Sequence, residues 1–276
     1  MSKRPNFDWP YILTELQNLG KAVKQKVTIF VAGGAAMAFL GLKIATRDID
    51  VIVGTHAEVS RLDSCLRRIG YAPPKTTLKY LQMKTSAILE NSQGFRWDIF
   101  QQTLAGKLSL SNGMISRSQL FGIIGKLEVR ILSKNDIFLL KSVTDRGLDL
   151  EDMRVIAESS VGWETIGQEC QLQARNSGQI WENALCEKLV ELRKTRNITS
   201  PIEKEICRIA DQKILERWII EKVADGRTTV KALASKGQEP ERIIRRAVES
   251  LARKGSLRLD RSMKPYEIRA VQHRNR

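Results

Sequence analysis

Histidine is almost missing from this chain, which has only His56 and His273, and its four cysteines, Cys65, Cys170, Cys186 and Cys207, lie far apart. None has the close spacing of zinc ligands, so no zinc site is expected and the cysteines are predicted to be buried thiols in a reducing compartment. Long apolar runs are lacking too. The longest, Ile29 to Leu42, is too short and too glycine-rich to span a bilayer, and the opening MSKRPNFDWP carries no apolar signal segment. A cytoplasmic location without a membrane partner is the expectation. Aromatic residues make up only 6% of the chain. Beyond Asp225 the one aromatic is Tyr266, which argues against a single-strand platform built on base stacking. There is no internal repeat and no low-complexity tract.

What the chain does have is positive charge. Lys and Arg number 46 against 31 Asp and Glu, a net charge of +15 over 276 residues. That excess points to a polyanionic partner, RNA or DNA ahead of a membrane surface, although charge can also simply keep a protein soluble. The length favours two domains and leaves enough chain for a substantial core.

The stretch from Val27 to Val53, VTIFVAGGAAMAFLGLKIATRDIDVIV, reads as a β-branched strand ending at Gly33-Gly34, a short helix of small residues, and a second strand. Side chains alternate along a strand, so Asp48 and Asp50 share one face while Ile49 turns to the core. Two carboxylates about 5 Å apart repel by roughly 3 kcal/mol at an effective dielectric near 20, which calls for a compensating cation. Mg²⁺, or Mn²⁺ in its place, takes one or two carboxylates together with phosphate oxygens. Glycines without Cβ atoms let the backbone approach a phosphate, and the start of the following helix offers unpaired N–H groups. The pattern therefore predicts a metal–nucleotide site. Taken singly, an Asp-Ile-Asp or a Gly-Gly would be an ordinary surface or turn feature.

Gly33-Gly34, the short helix and Thr46-Arg47-Asp48-Ile49-Asp50-Val51 together resemble the signature of the polymerase-β-like nucleotidyltransferase superfamily. That resemblance implies a third carboxylate on a later strand, and Asp98 in Phe95-Arg96-Trp97-Asp98-Ile99-Phe100 stands in such a place. It further implies that Asp48, Asp50 and Asp98 are catalytic and hold Mg²⁺ or Mn²⁺, and that Gly33 and Gly34 bind the nucleotide of an NTP substrate. Leu139-Leu140-Lys141, Arg146 and Asp149-Leu-Glu-Asp152 resemble a segment of minimal-type nucleotidyltransferases, including the abortive-infection toxin group. By that likeness Lys141 helps hold the triphosphate and Asp149 or Asp152 orients it; a plain reading leaves Lys141 solvated on a helix face and Asp152 a surface acid. GGAAMAFLG with Asp-Ile-Asp also partly matches tRNA CCA-adding enzymes. Ala36-Met37-Ala38 replaces their Arg-Asp, however, and no base-selecting Asp-x-x-Arg follows.

Elsewhere, Asp8 before Trp9-Pro10 predicts a helix start with Ile12, Leu13, Leu16 and Leu19 on one face. Ala57 to Tyr71 reads as an amphipathic helix, Leu78 to Phe100 as extended, and Leu108 to Leu132 as strands broken at Asn112-Gly113 and Gly125. Ser133 to Asp136 looks like a capping-box start, followed by helices to Arg196. From Ile202, three helices and a two-strand hairpin resemble a winged helix. Its third helix carries an apolar stripe of Ile243, Ile244, Ala247, Val248 and Leu251, with Arg242, Arg245, Arg246 and Arg253 largely on the other side. Arg258, Arg261, Lys264 and Arg269 extend that basic face, which suits nucleic-acid phosphates.

The expected fold is α+β: a nucleotidyltransferase-like mixed sheet with flanking helices over 1–132, a helical region completing the site over 133–200, and a winged helix-turn-helix over 201–276. The expected activity is metal-dependent transfer of an NMP to a hydroxyl acceptor, RNA (tRNA) first and toxin-like in role, with pyrophosphate release. Two rivals stand beside it. One is a DNA-binding regulator or antitoxin-like partner whose transferase-like domain is inactive; the other is adenylylation of a protein partner.

Overall fold

The computed structural model describes residues 5–74, 85–144, 147–262 and 265–271. The extended reading from Leu78 to residue 84, and Arg146 and Lys264, lie outside the described residues. The chain divides into two compact units, Met1–Glu203 and Lys204–Arg276.

The first unit is α+β and is built on a six-stranded mixed sheet. Its strands are β1 (Val27–Ala32), β2 (Asp48–Val53), β3 (Ala87–Glu90), β4 (Arg96–Gln101), β5 (Gln119–Ile124) and β6 (Leu127–Ile131), in the spatial order β3-β4-β2-β1-β6-β5. β2 pairs with β4 in parallel, as β1 does with β6, while the central pair β1 and β2 runs antiparallel. Ile29, Ile49, Val51, Trp97 and Ile99 are wholly buried. Their near-continuous apolar runs are what a sheet covered on both faces requires.

Helix α1 (Trp9–Ala22) starts where expected: the Asp8 carboxylate accepts from Tyr11 N–H at 3.1 Å, and Ile12, Leu16 and Leu19 are buried. Helix α2 (Gly33–Phe39) follows β1 directly. Helix α3 (His56–Arg68) begins with a full capping box between Thr55 and Glu58, in addition to the amphipathic spacing that predicts it. The break expected at Asn112-Gly113 is instead the opening of a short helix, α4 (Asn112–Arg117). Ser111 caps it by accepting from Met114 N–H at 3.0 Å, so a cap won over the turn preference of Asn-Gly. Ser133 caps α5 (Lys134–Val143), but Asp136 bonds the Ser133 hydroxyl and Arg117 rather than closing the box. Helices α6 (Asp149–Glu158), α7 (Trp163–Ser177) and α8 (Trp181–Arg196) complete the unit.

The second unit takes up most of α9 (Glu203–Ala224), then α10 (Val230–Gly237), α11 (Glu241–Arg253) and the antiparallel hairpin of β7 (Leu257–Asp260) and β8 (Glu267–Ala270). Thr228 bridges to Ile268, tying the chain before α10 to the hairpin. Ile219, Leu233, Ile244, Val248, Leu251, Leu257 and Ile268 form its core. Ile243, expected in the α11 stripe, is 40% exposed. At 100° per residue it falls at the flank of the arc through Ile244, Ala247, Val248 and Leu251.

Cys65 and Cys170 are buried free thiols. No helix among the described residues is long and apolar enough to cross a membrane.

Glu216 is the second unit's main buried charge. Lys254 donates to it at 2.8 Å, Gln212 at 3.0 Å and Ser250 at 3.2 Å. Burial raises its pKa, but these donors more than offset that and hold the carboxyl below its ordinary value. A depressed pKa stabilises the fold above the unfolded-state value and ceases to do so as pH falls through the folded-state value. Glu216→Ala is therefore expected to cost the second unit about 1–2 kcal/mol at pH 7. The cost should shrink as pH falls into the acid range where the carboxyl takes up its proton, and hydrogen exchange of α9 and α11 measures both.

Candidate functional site

The site is set by the register of β1, β2 and β4. Gly33 leaves β1 with φ +61°, and a Cβ there would lie 2.1 Å from Asp50 Oδ2. A Cβ on Gly34 would lie 2.7 Å from Thr46 Oγ1. The two glycines are thus required because side chains of the neighbouring segment press against their backbone, and at Gly33 also by conformation. Asp48 and Asp50 alternate with Ile49 onto one face, as expected. The parallel pairing of β2 with β4 then sets Asp50 opposite Asp98 and Asp48 opposite Arg96.

Arg96 joins this acidic face together. Its Nη2 donates to Asp48 Oδ2 at 3.0 Å and to Asp98 Oδ2 at 2.5 Å, and its side chain is only 5% exposed. Asp98 is wholly buried. Burial, then the Asp50 charge, push its pKa up to about 8, with Arg96 pulling the other way and Asp48 adding to the rise. Its Oδ1 has no hydrogen-bond partner among the described residues.

In front of these strands lies a cavity of about 450 Å³. Gly33 and Gly34 line it from the start of α2, Lys43 and Thr46 from the segment before β2, Asp48 and Asp50 from β2, and Lys141, Thr144, Asp149 and Asp152 from α5, its C-cap and α6. Seven residues singled out from sequence, Gly33, Gly34, Asp48, Asp50, Lys141, Asp149 and Asp152, therefore meet at one opening, whereas Asp98 stands behind it and is not part of the wall. Lys141 is not solvated on a helix face: it is buried between Asp149, at 3.0 Å, and Asp152, at 2.6 Å. Asp152 is buried as well, and Lys43 donates to both of its oxygens, at 2.8 and 3.0 Å. Burial lowers the Lys141 pKa, yet the two carboxylates more than offset it and raise it above the ordinary value. Burial likewise raises Asp152, and the charges of Lys141 and Lys43 bring it below the ordinary carboxylate range.

Three residues of the site, Lys43, Thr46 and Arg96, do not follow from the sequence pattern that marks the others. Arg96 had a usable signal, since a residue two before Asp98 on a strand must share its face. Lys43 had none, because its partner is 109 residues away.

A divalent cation fits the front of this site better than the back. Asp48 and Asp50 supply hard oxygens at the cavity wall, and Mg²⁺ commonly takes one or two carboxylates with phosphate and water making up the rest. Asp98 lies beside Asp50 across the β2–β4 pair, behind the cavity wall, and among the described residues no group of three His, Cys, Asp or Glu is arranged to hold a metal.

In the second unit, Arg242, Arg245 and Arg246 line one surface groove with Glu249. Arg253 and Arg261 line another beside Leu257 and Leu259, and Arg258 is exposed. Arg269 is drawn off instead, paired with Asp260 at 2.6 Å and Glu267 at 3.2 Å.

No protein-family model matches the chain, and no curated protein matches it. Among solved structures it is similar to the crystal structure of the lincosamide antibiotic adenylyltransferase LnuA with lincomycin bound. The TM-score is 0.40 and the identity 17%, over 56% of this chain and 100% of that one.

Arg96→Gln tests the electrostatic account. Removing one partner of a buried ion pair costs about 3–5 kcal/mol. The loss expected here is at the lower end, because Asp98 can take up a proton, and urea unfolding at pH 7 measures it.

Proposed function

We propose that the first unit is a nucleotidyltransferase that passes the nucleoside monophosphate of an NTP to a hydroxyl acceptor and releases pyrophosphate. The observation that carries this reading is the convergence of Gly33, Gly34, Asp48 and Asp50 with Lys141, Asp149 and Asp152 on one cavity. The acceptor oxygen forms a bond to the α-phosphorus and the α–β phosphoanhydride bond breaks. Its electron pair leaves with pyrophosphate, and the hydroxyl proton passes to a carboxylate of the cavity wall. A Mg²⁺ or Mn²⁺ held by Asp48 and Asp50 would offset triphosphate charge and lower the pKa of the acceptor hydroxyl. Gly33 and Gly34 admit the phosphates close to the backbone, where a side chain would collide with Asp50 or Thr46. Asp98 acts from behind by fixing Arg96, and through it Asp48.

The acceptor we propose is RNA, with the 3′-terminal hydroxyl of a tRNA as first candidate and a toxin-like outcome. Support comes from the net charge of +15 and from the exposed Arg242, Arg245 and Arg246. In this reading the second unit is a winged helix that holds the acceptor by its phosphates.

The test is incubation with each α-labelled NTP, Mg²⁺ or Mn²⁺ and total RNA. Label in RNA is expected with the native chain, and Asp50→Asn should reduce it on the order of 10²-fold or more. Label on protein alone would move the acceptor to a polypeptide. No labelling, together with DNA binding indifferent to Asp50→Asn, would favour a regulator instead. Separately, replacing Arg242, Arg245 and Arg246 by Ala should weaken RNA binding and flatten its dependence on log salt by about one unit for each phosphate no longer engaged. Filter binding across a salt series reads this directly.

A further inference from the structure

We infer that Lys43, rather than Lys141, is the cation that meets the nucleotide's phosphates in this cavity, with Lys141 serving to position Asp152. The inference rests on the nucleotidyltransferase reading and assigns a residue of that same site.

Both lysines line the cavity, but they are committed differently. The Lys141 side chain is 11% exposed and held by two carboxylates, Asp149 and Asp152. Lys43 is 27% exposed and is held, among the described residues, by Asp152 alone. Asp152 thus carries two ammonium groups on a single carboxylate. If Lys43 turns to a phosphate, it gives up one acid, and that acid keeps Lys141. If Lys141 turned instead, it would withdraw from two buried acids at once, and Asp149 is only 3% exposed. Taking a cation away from a buried carboxylate is costly, so the exchange that disturbs one shared acid is favoured over the exchange that disturbs two.

Position agrees with this exchange. The place a Cβ of Gly34 would occupy is 3.8 Å from Lys43 Nζ and 2.7 Å from Thr46 Oγ1. Lys43 therefore stands over the backbone that glycine leaves open, where an incoming phosphate oxygen would come to rest. Lysine also suits the role: its ammonium is a compact charge on a flexible stem, able to move from a carboxylate to a phosphate without the fixed fork of arginine. The four groups Lys43, Lys141, Asp149 and Asp152 are neutral together, so positive charge reaches the ligand when a lysine turns away from its acid, and Lys43 leaves the fewer acids.

The experiment is calorimetric titration of the full chain with non-cleavable α,β-methylene analogues of the four NTPs plus Mg²⁺, and with the matching nucleosides. Lys43→Met is expected to weaken triphosphate binding at least tenfold while leaving nucleoside binding and the melting temperature close to native. Lys43→Arg should recover most of the loss. Lys141→Met is expected to lower the melting temperature, because it withdraws a cation from two buried acids. Native binding of a triphosphate with Lys43→Met within twofold of it would overturn the inference while leaving the nucleotidyltransferase reading intact. If the native chain binds none of the triphosphates, that broader reading fails first, and the assignment of Lys43 falls with it.

Discussion

Acidic side chains on adjacent strands can be buried only if positive charge is brought among them, and Arg96 does this for Asp48 and Asp98. Parallel pairing of β2 and β4 stacks Asp50 beside Asp98 and Asp48 beside Arg96, so the same register that gathers the acids also delivers their internal counter-ion. One guanidinium nitrogen then spans Asp48 and Asp98. The compensation is incomplete. Asp98 stays wholly buried with a raised pKa and an oxygen that nothing among the described residues satisfies. In the proposed reading, a cation and substrate bound in the cavity before these strands would relieve that local imbalance at Asp98.

The second tier of charge has a different logic. Lys43, Lys141, Asp149 and Asp152 balance each other across the cavity and link the segment between α2 and β2 to helices α5 and α6. Their ion pairs line the cavity opposite Asp48 and Asp50. Because one carboxylate serves two lysines, the network can surrender one cation without collapse. Stability and ligand binding are thereby assigned to different residues of the same cluster.

Much of this arrangement is legible in the sequence alone, and the reasons are local. Strand alternation places Asp48 and Asp50 on one face; Gly33 stands out in the sequence as a place for a phosphate to approach, and the structure shows Asp50 close against it. The cap at Asp8 and the apolar face of α1 follow from spacing alone. Legibility ends where distant residues or competing local signals decide. Asn112-Gly113 spells a turn in isolation, but Ser111 before it makes a helix start. Ile243 belongs to an apolar run yet lies at the edge of the helical arc. Lys141 suits solvent as well as a site until Asp149 and Asp152 enclose it, and no periodicity could pair Lys43 with Asp152.

The central claim is that the Asp48 and Asp50 face, with the cavity before it, is a metal–nucleotide site. Titration of the native chain and of Asp50→Asn with Mn²⁺, followed by electron paramagnetic resonance in the presence and absence of a non-cleavable NTP analogue, tests it most directly. The account predicts Mn²⁺ uptake that tightens when the nucleotide is added and is lost in Asp50→Asn. Absence of nucleotide-linked Mn²⁺ binding in the native chain, or equal binding in Asp50→Asn, would contradict it.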